Sequence, residues 1–210
     1  MNPCVIDHIT ITAPTLEAGE ELVKSSLGVT PQEGGEHPRM GTHNLLLRLG
    51  ESVFLEVIAS NPAAEKPNRP RWFALDKVDE NSSAKIKTWV VRSENIRSTF
   101  NICSEPLGKI EPMSRGDKNW LITIPEDGSL PVNEGAPALI EWKTQTHPAA
   151  TLVDYGLSLI ELQIHNPESE RIEKLLDSIN FTGKAKVFKS NESKLVALIK
   201  TPDGIRELNT

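Results

Sequence analysis

The sequence predicts an α+β fold built from tandem βαβββ units. Three observations carry that expectation: short apolar runs frame single helical stretches, helix caps and stops recur at a constant offset, and a glutamate returns late in each unit.

The first unit spans 1–61. Ile6-Asp7-His8-Ile9-Thr10-Ile11 alternates and reads as a strand. Thr15 caps a helix with Leu16, Val23 and Leu27 on its apolar stripe, and Gly28 stops it. Met40-Gly41-Thr42-His43-Asn44-Leu45-Leu46-Leu47 and Val53-Phe54-Leu55-Glu56-Val57-Ile58 read as further strands.

The second unit, 86–144, repeats the plan. Residues 88–92 form a strand, Asn95 caps a helix striped by Ile96, Phe100, Cys103 and Leu107, and Gly108 ends it. Strands follow at 109–113, 119–124 and 138–142, where Glu141 takes the place of Glu56.

The third unit, 157–210, opens with a strand at 159–164. Asn166-Pro167 reads as a cap with proline at the first helical position, and Ile172, Leu175, Leu176 and Ile179 make the helix face. A hairpin over 184–190 and 194–200 leads through the turn Thr201-Pro202-Asp203-Gly204 to a last strand, where Glu207 falls near the Glu56 position. Residues 62–85 read as a linker or lid holding the aromatic Arg71-Trp72-Phe73, and 145–156 as a shorter linker.

A net charge of −6 without a long basic run argues against nucleic acid or an anionic membrane as partner. No apolar run approaches the roughly 18 residues that span a bilayer, and Met1-Asn2-Pro3-Cys4 lacks the features of a signal peptide, so a cytoplasmic protein is expected. Cys4 and Cys103 give no disulfide framework; Cys103 reads as a buried thiol. There is no phosphate loop, nucleophile elbow or CxxC pair.

Asp7-His8, Pro14, Leu27-Gly28 and above all Gly34-Gly35-Glu36-His37-Pro38-Arg39-Met40-Gly41-Thr42-His43-Asn44, followed by Phe54-Leu55-Glu56-Val57-Ile58, resemble the glyoxalase-like group of the vicinal oxygen chelate superfamily. Glu141-Trp142, His147-Pro148 and Leu152 before Gly156 extend the resemblance over nearly the whole chain. It implies curved mixed sheets that pair into a cup, a small oxygen-bearing organic ligand and, in the superfamily's enzymes, a divalent metal acting as Lewis acid.

Alternation then turns His8, Thr10 and Thr12 toward the cup and the isoleucines toward the helices. Imidazole and carboxylate suit Zn, Mn, Fe, Ni or Mg. The expected metal set is His8, Glu56 and Glu207, with Glu56 and Glu141 as catalytic groups. His43, Asn44, Trp72 and Arg115 are the candidate substrate contacts, although only one of His43 and Asn44 can face inward. Thr88 stands where a second histidine would, so a metal-free binding protein is the alternative to a lyase or isomerase. A ring-cleaving dioxygenase would need His43 to join His8. The acidic balance disfavours highly anionic ligands unless Arg115 or Arg71 reverses it locally. His37 is expected to be exposed, His147-Pro148 to shape a loop, and Trp89, Trp120 and Trp142 to fill the core. Three units are odd for a fold that pairs them, so one is expected to meet a second chain in a homodimer.

Overall fold

The first helix shows how local sequence sets the framework. Thr15 accepts a hydrogen bond from the Ala18 amide at 3.2 Å, α1 (Leu16–Leu27) follows, and Gly28 ends it at φ 75°, a dihedral that favours glycine. Asn95 caps α2 (Ile96–Ile102) in the same way, accepting from Ser98 at 3.0 Å. The caps stand 80 residues apart, 15 to 95, but α2 ends at Ile102 with Cys103 as its cap, so Leu107 and Gly108 lie beyond the helix that the sequence extends to them. The computed structural model describes residues 2–209; Met1, where the N-terminal reading begins, and Thr210, the expected end of the third unit, lie outside them.

The architecture is α+β. Unit one contributes β1 (Val5–Thr12), α1, β2 (Gln32–His37), β3 (Thr42–Arg48) and β4 (Phe54–Ser60). Unit two contributes β5 (Lys85–Arg92), α2, β6 (Lys109–Arg115), β7 (Lys118–Ile124) and β8 (Ala138–Trp142). Together they form one eight-stranded sheet in the order β2-β3-β4-β1-β5-β8-β7-β6. The order is symmetric about the central antiparallel pair β1/β5, where Ile9 lies opposite Trp89, its own 80-residue counterpart. Each opening strand also runs parallel to its closing strand, β1 to β4 and β5 to β8.

The sheet curls until its edges approach. Arg39, in the turn Pro38–Met40 after β2, donates to the Pro112 carbonyl of β6 at 2.8 Å and pairs with Glu111. Those contacts draw the two ends of the sheet together around an enclosed concave face.

The third segment keeps the chain order of the other units but not their ladder. It runs β9 (Ser158–Asn166), α3 (Ser169–Ser178), β10 (Ala185–Lys189), β11 (Lys194–Thr201) and β12 (Gly204–Leu208). These strands form a separate sheet, β10-β9-β11-β12, in which β9 pairs with β10 rather than with the last strand. Asn166 is not the cap of α3. It ends β9, accepts from the Glu168 amide, and donates to the Val132 and Asn133 carbonyls.

One apolar core joins the convex face of the large sheet to this second sheet, with Ile9, Ile11, Leu55, Val57 and Trp89 on one side and Leu162, Ile164, Ile172 and Ile199 on the other. Buried Trp89 satisfies its indole N–H on the Gly135 carbonyl at 3.0 Å. Helix α1 sits so close to β4 that a Cβ on Gly19 would overlap Val57. The concave face carries a second apolar cluster that includes Ile58, Trp72, Val90, Ile122 and Ile140. No helix among the described residues is long and apolar enough to cross a membrane. Cys4 and Cys103 are free thiols, the second half-buried.

Candidate functional site

A β-bulge builds the floor of the cup. In the β1/β5 ladder, Ile6 faces Val91 and His8 faces Val90, so Asp7 is an extra residue on β1. Its carboxylate is fully buried. Oδ1 meets His8 Nδ1 at 2.6 Å; Oδ2 accepts from Trp142 Nε1 at 2.9 Å and Arg92 Nη1 at 3.2 Å, and meets His147 Nε2 at 2.9 Å. The Ala149 amide donates to His147 Nδ1 at 3.2 Å, which leaves the His147 proton on Nε2, aimed at Asp7. Burial alone would push the Asp7 carboxyl up, but the hydrogen bonds to His147 and His8, with their charges, outweigh it and hold Asp7 below the usual carboxylate range.

His8 passes that order inward. Its ring stacks on Phe54 with centroids 4.5 Å apart, and Nε2 lies 3.7 Å from Glu56 Oε2. Glu56 sits on β4 opposite Thr10 and is buried. Oε2 accepts from Thr10 Oγ1 at 3.2 Å, and Oε1 accepts from Asn44 Nδ2 at 2.6 Å. Asn44 therefore acts on the cup through Glu56. His43, its neighbour on β3, faces outward beside Thr15 and Arg71 and leaves the candidate set.

His8, Glu56, His37, Arg115, Trp72 and Trp142 line one cavity, about 330 Å³ counted to its open side. Phe54, Phe73 and Trp120 add further aromatic wall. Arg115, at the end of β6, is the cation of this cavity. Its guanidinium makes no hydrogen bond or ion pair within 4 Å among the described residues, burial pushes its pKa down, and the charge of Glu56 opposes that shift. Arg115 also borders an outer groove with Gly35 and Ser114, so it stands between the interior and the surface.

The paired glycines of the sequence motif have separate tasks. A Cβ on Gly34 would overlap Asn44 Oδ1, and one on Gly35, at φ 152°, would crowd the Arg115 stem.

His37 corrects the expectation of an exposed loop residue. It ends β2, is buried, and meets Thr42 Oγ1 through Nδ1 at 3.1 Å. Its ring stands edge-on to Trp72, with centroids 5.1 Å apart. Burial lowers its pKa to about 4, so the imidazole is neutral at pH 7. Trp120 and Trp142 line the cup as well as filling space. His147 shapes its loop as expected and also holds Asp7.

The linker aromatics close the cup. Trp72–Lys77 forms a short strap in which Phe73 (φ 57°) and Ala74 (φ 55°) adopt left-handed backbone, an arrangement that costs about 1–2 kcal/mol per residue. Arg71 Nη1 on Asp76 at 2.7 Å, Arg71 Nε on the Gly41 carbonyl at 3.3 Å and the Ala74 amide on Gly128 at 2.8 Å hold it in place.

Two acidic residues expected here lie elsewhere. Glu141 faces the convex side, where Oε2 accepts from the Ile96 amide at the start of α2 at 2.9 Å and the carboxylate pairs with Lys143. Ladder register explains the difference. Val90, counterpart of Thr10, pairs with Ala138, so Ala138 and not Glu141 corresponds to Glu56. Glu207 lies on β12 of the separate sheet, exposed and bonded to Asn209. In the second half of the cup, Lys87 takes the bulge position of Asp7 and Thr88 that of His8.

That leaves His8 and Glu56 without the third donor of the expected metal set. No three His, Cys, Asp or Glu side chains among the described residues are grouped to hold a metal ion. Both Glu56 oxygens already accept hydrogen bonds, and a guanidinium shares the cavity. The donor set does not fit a divalent metal.

The chain belongs to the glyoxalase-like domain family, which matches residues 6–179. A hypothetical protein from Staphylococcus aureus has a similar solved structure over 95% of this chain and 92% of its own, at 14% identity and a TM-score of 0.68, which speaks to the fold. A Streptomyces coelicolor methylmalonyl-CoA epimerase in complex with 2-nitronate-propionyl-CoA overlaps 68% of this chain and 97% of its own, at 17% identity and a TM-score of 0.43. The Mycobacterium tuberculosis methylmalonyl-CoA epimerase overlaps 65% and 85%, at 14% identity and 0.41. At these scores and identities neither likeness carries a functional argument. No curated protein matches the chain.

Proposed function

We propose that the cup binds a small organic acid of the 2-oxo acid class and moves a proton on it. One observation carries the reading: Arg115 presents a half-buried guanidinium without a protein partner among the described residues in an aromatic-walled cavity that also holds the buried carboxylate of Glu56. A guanidinium with no protein partner, set partly out of solvent, favours an anionic ligand oxygen through charge-assisted hydrogen bonds. The indole and phenyl walls suit the planar carbon body of such an acid.

The line Asp7–His8–Glu56 favours proton transfer over passive storage. Glu56 takes a proton from the carbon next to the ligand's carbonyl. The C–H bond breaks and its electron pair moves to the carbonyl oxygen, whose charge Arg115 and the hydrogen-bonding ring of neutral His37 stabilise. No step runs through a metal.

Deuterium exchange into the methyl group of pyruvate, followed by proton NMR in D₂O, tests the reading. The native protein should accelerate exchange and Glu56→Gln should not. Exchange at the buffer rate with native protein, or undiminished exchange in the variant, would remove the proton-transfer role.

A further inference from the structure

Behind the strap lies a second cavity, in the half of the cup contributed by unit two. Thr88, Leu107, Thr123, Leu130 and Ala138 line it, and Trp72 and Phe73 divide it from the cavity of Glu56. It is open on one side.

The pseudo-symmetry of the sheet explains why the space is there. The positions held by His8, Thr10 and Glu56 in unit one are held by Thr88, Val90 and Ala138 in unit two. Shorter and less polar side chains replace the imidazole and the carboxylate. Thr88 lies directly opposite Thr10 in the ladder, so its side chain points to the same concave face.

Two residues that line this cavity each carry a buried polar atom without a partner among the described residues: Thr88 Oγ1 and Trp72 Nε1. Both residues are more than nine-tenths buried. An indole N–H can only donate, and a hydroxyl can donate as well as accept. Leaving both unmade in an apolar surround is unfavourable.

We infer that this cavity is a second binding site, for a small apolar molecule carrying one hydrogen-bond-accepting oxygen, of the ketone or ester class. The oxygen takes the Trp72 and Thr88 donors, and the alkyl body lies against Leu107, Leu130 and Ala138. No charged side chain lines the cavity, which separates its ligand from the organic acid proposed for the Arg115 side. The inference does not depend on that proposal.

The test is a titration with 2-butanone, followed by the indole N–H signals in ¹⁵N–¹H spectra. The Trp72 signal should move saturably, while that of Trp89, already bonded to Gly135, stays in place. Thr88→Val, close to isosteric, should keep the native spectrum and bind about five-fold more weakly. Ala138→Leu, which fills the space, should abolish the shift. Pyruvate binding measured on the Thr88→Val protein should be unchanged. No saturable shift in the native protein, or equal affinity in Thr88→Val, would overturn the second site whatever pyruvate does.

Discussion

Replacing Asp7 with alanine should destabilise the fold by about 3–5 kcal/mol, the usual cost of removing one partner from a buried charged network. The magnitude follows from the surroundings. Asp7 is fully buried and its two oxygens engage His8, His147, Trp142 and Arg92. A bond to an ionised acceptor is worth about 1.5–3 kcal/mol, so losing several would exceed the total if they were additive. Arg92 is partly exposed and recovers water, which brings the figure down. Asp7→Asn should cost less, about 2 kcal/mol, because one amide oxygen still accepts. Urea unfolding of the three proteins at pH 7 measures these differences. A second readout is the His8 tautomer by long-range ¹⁵N NMR. With Asp7 in place the proton should sit on Nδ1; with asparagine it is free to move to Nε2. Stability of Asp7→Ala within 1 kcal/mol of the native protein would refute the view that this carboxylate organises the cup floor.

Stability should respond to acid in two windows. His37 has a folded pKa near 4 against an ordinary value of 6.5, so the unfolded chain takes the proton first; its contribution is full above about 6.5 and is lost as pH falls toward 4, by roughly 3 kcal/mol, and His37→Gln should flatten that slope in urea melts between pH 7 and 4. Asp7 has a depressed folded pKa, so its contribution holds above the ordinary 3.8 and fades below it; the acid limb of Asp7→Asn should be shallower there. Gly19→Ala should cost about 1–3 kcal/mol through overlap with Val57, and Val57→Ala in the same chain should recover part of it in thermal melts. Dialysis against EDTA should leave both melting temperature and pyruvate affinity unchanged, and a loss of either would restore a metal to the site.

What the sequence disclosed depends on the range of the interaction involved. Caps and glycine stops act within a few residues, so Thr15, Gly28 and Asn95 are readable directly, and their spacing announces the paired units. His8 and Glu56 converge because strand alternation fixes their face once β1 and β4 are neighbours. Ladder register is a tertiary property, and it misplaced Glu141: a three-residue difference between Glu141 and the true counterpart, Ala138, turns the carboxylate to the other face. The bulge at Asp7 leaves no mark in composition, yet it puts two successive residues, Asp7 and His8, on one network. Arg115 stands in the turn-like stretch Ser114-Arg115-Gly116-Asp117, and it is the curl of the sheet, a tertiary property, that brings β6 beside β2 and that side chain into the cavity of Glu56. The third segment shows the same limit, since its order of elements matches the other units while β9 pairs with a different strand.

Isothermal titration of pyruvate into EDTA-treated protein, with Arg115→Met beside it, tests the central claim most directly. The native protein should bind near one equivalent and the variant at least about ten-fold more weakly, with melting curves showing both folded. Equal affinity in the two proteins, or binding to the native protein only after metal is added, would contradict a cup in which Arg115 holds the acid.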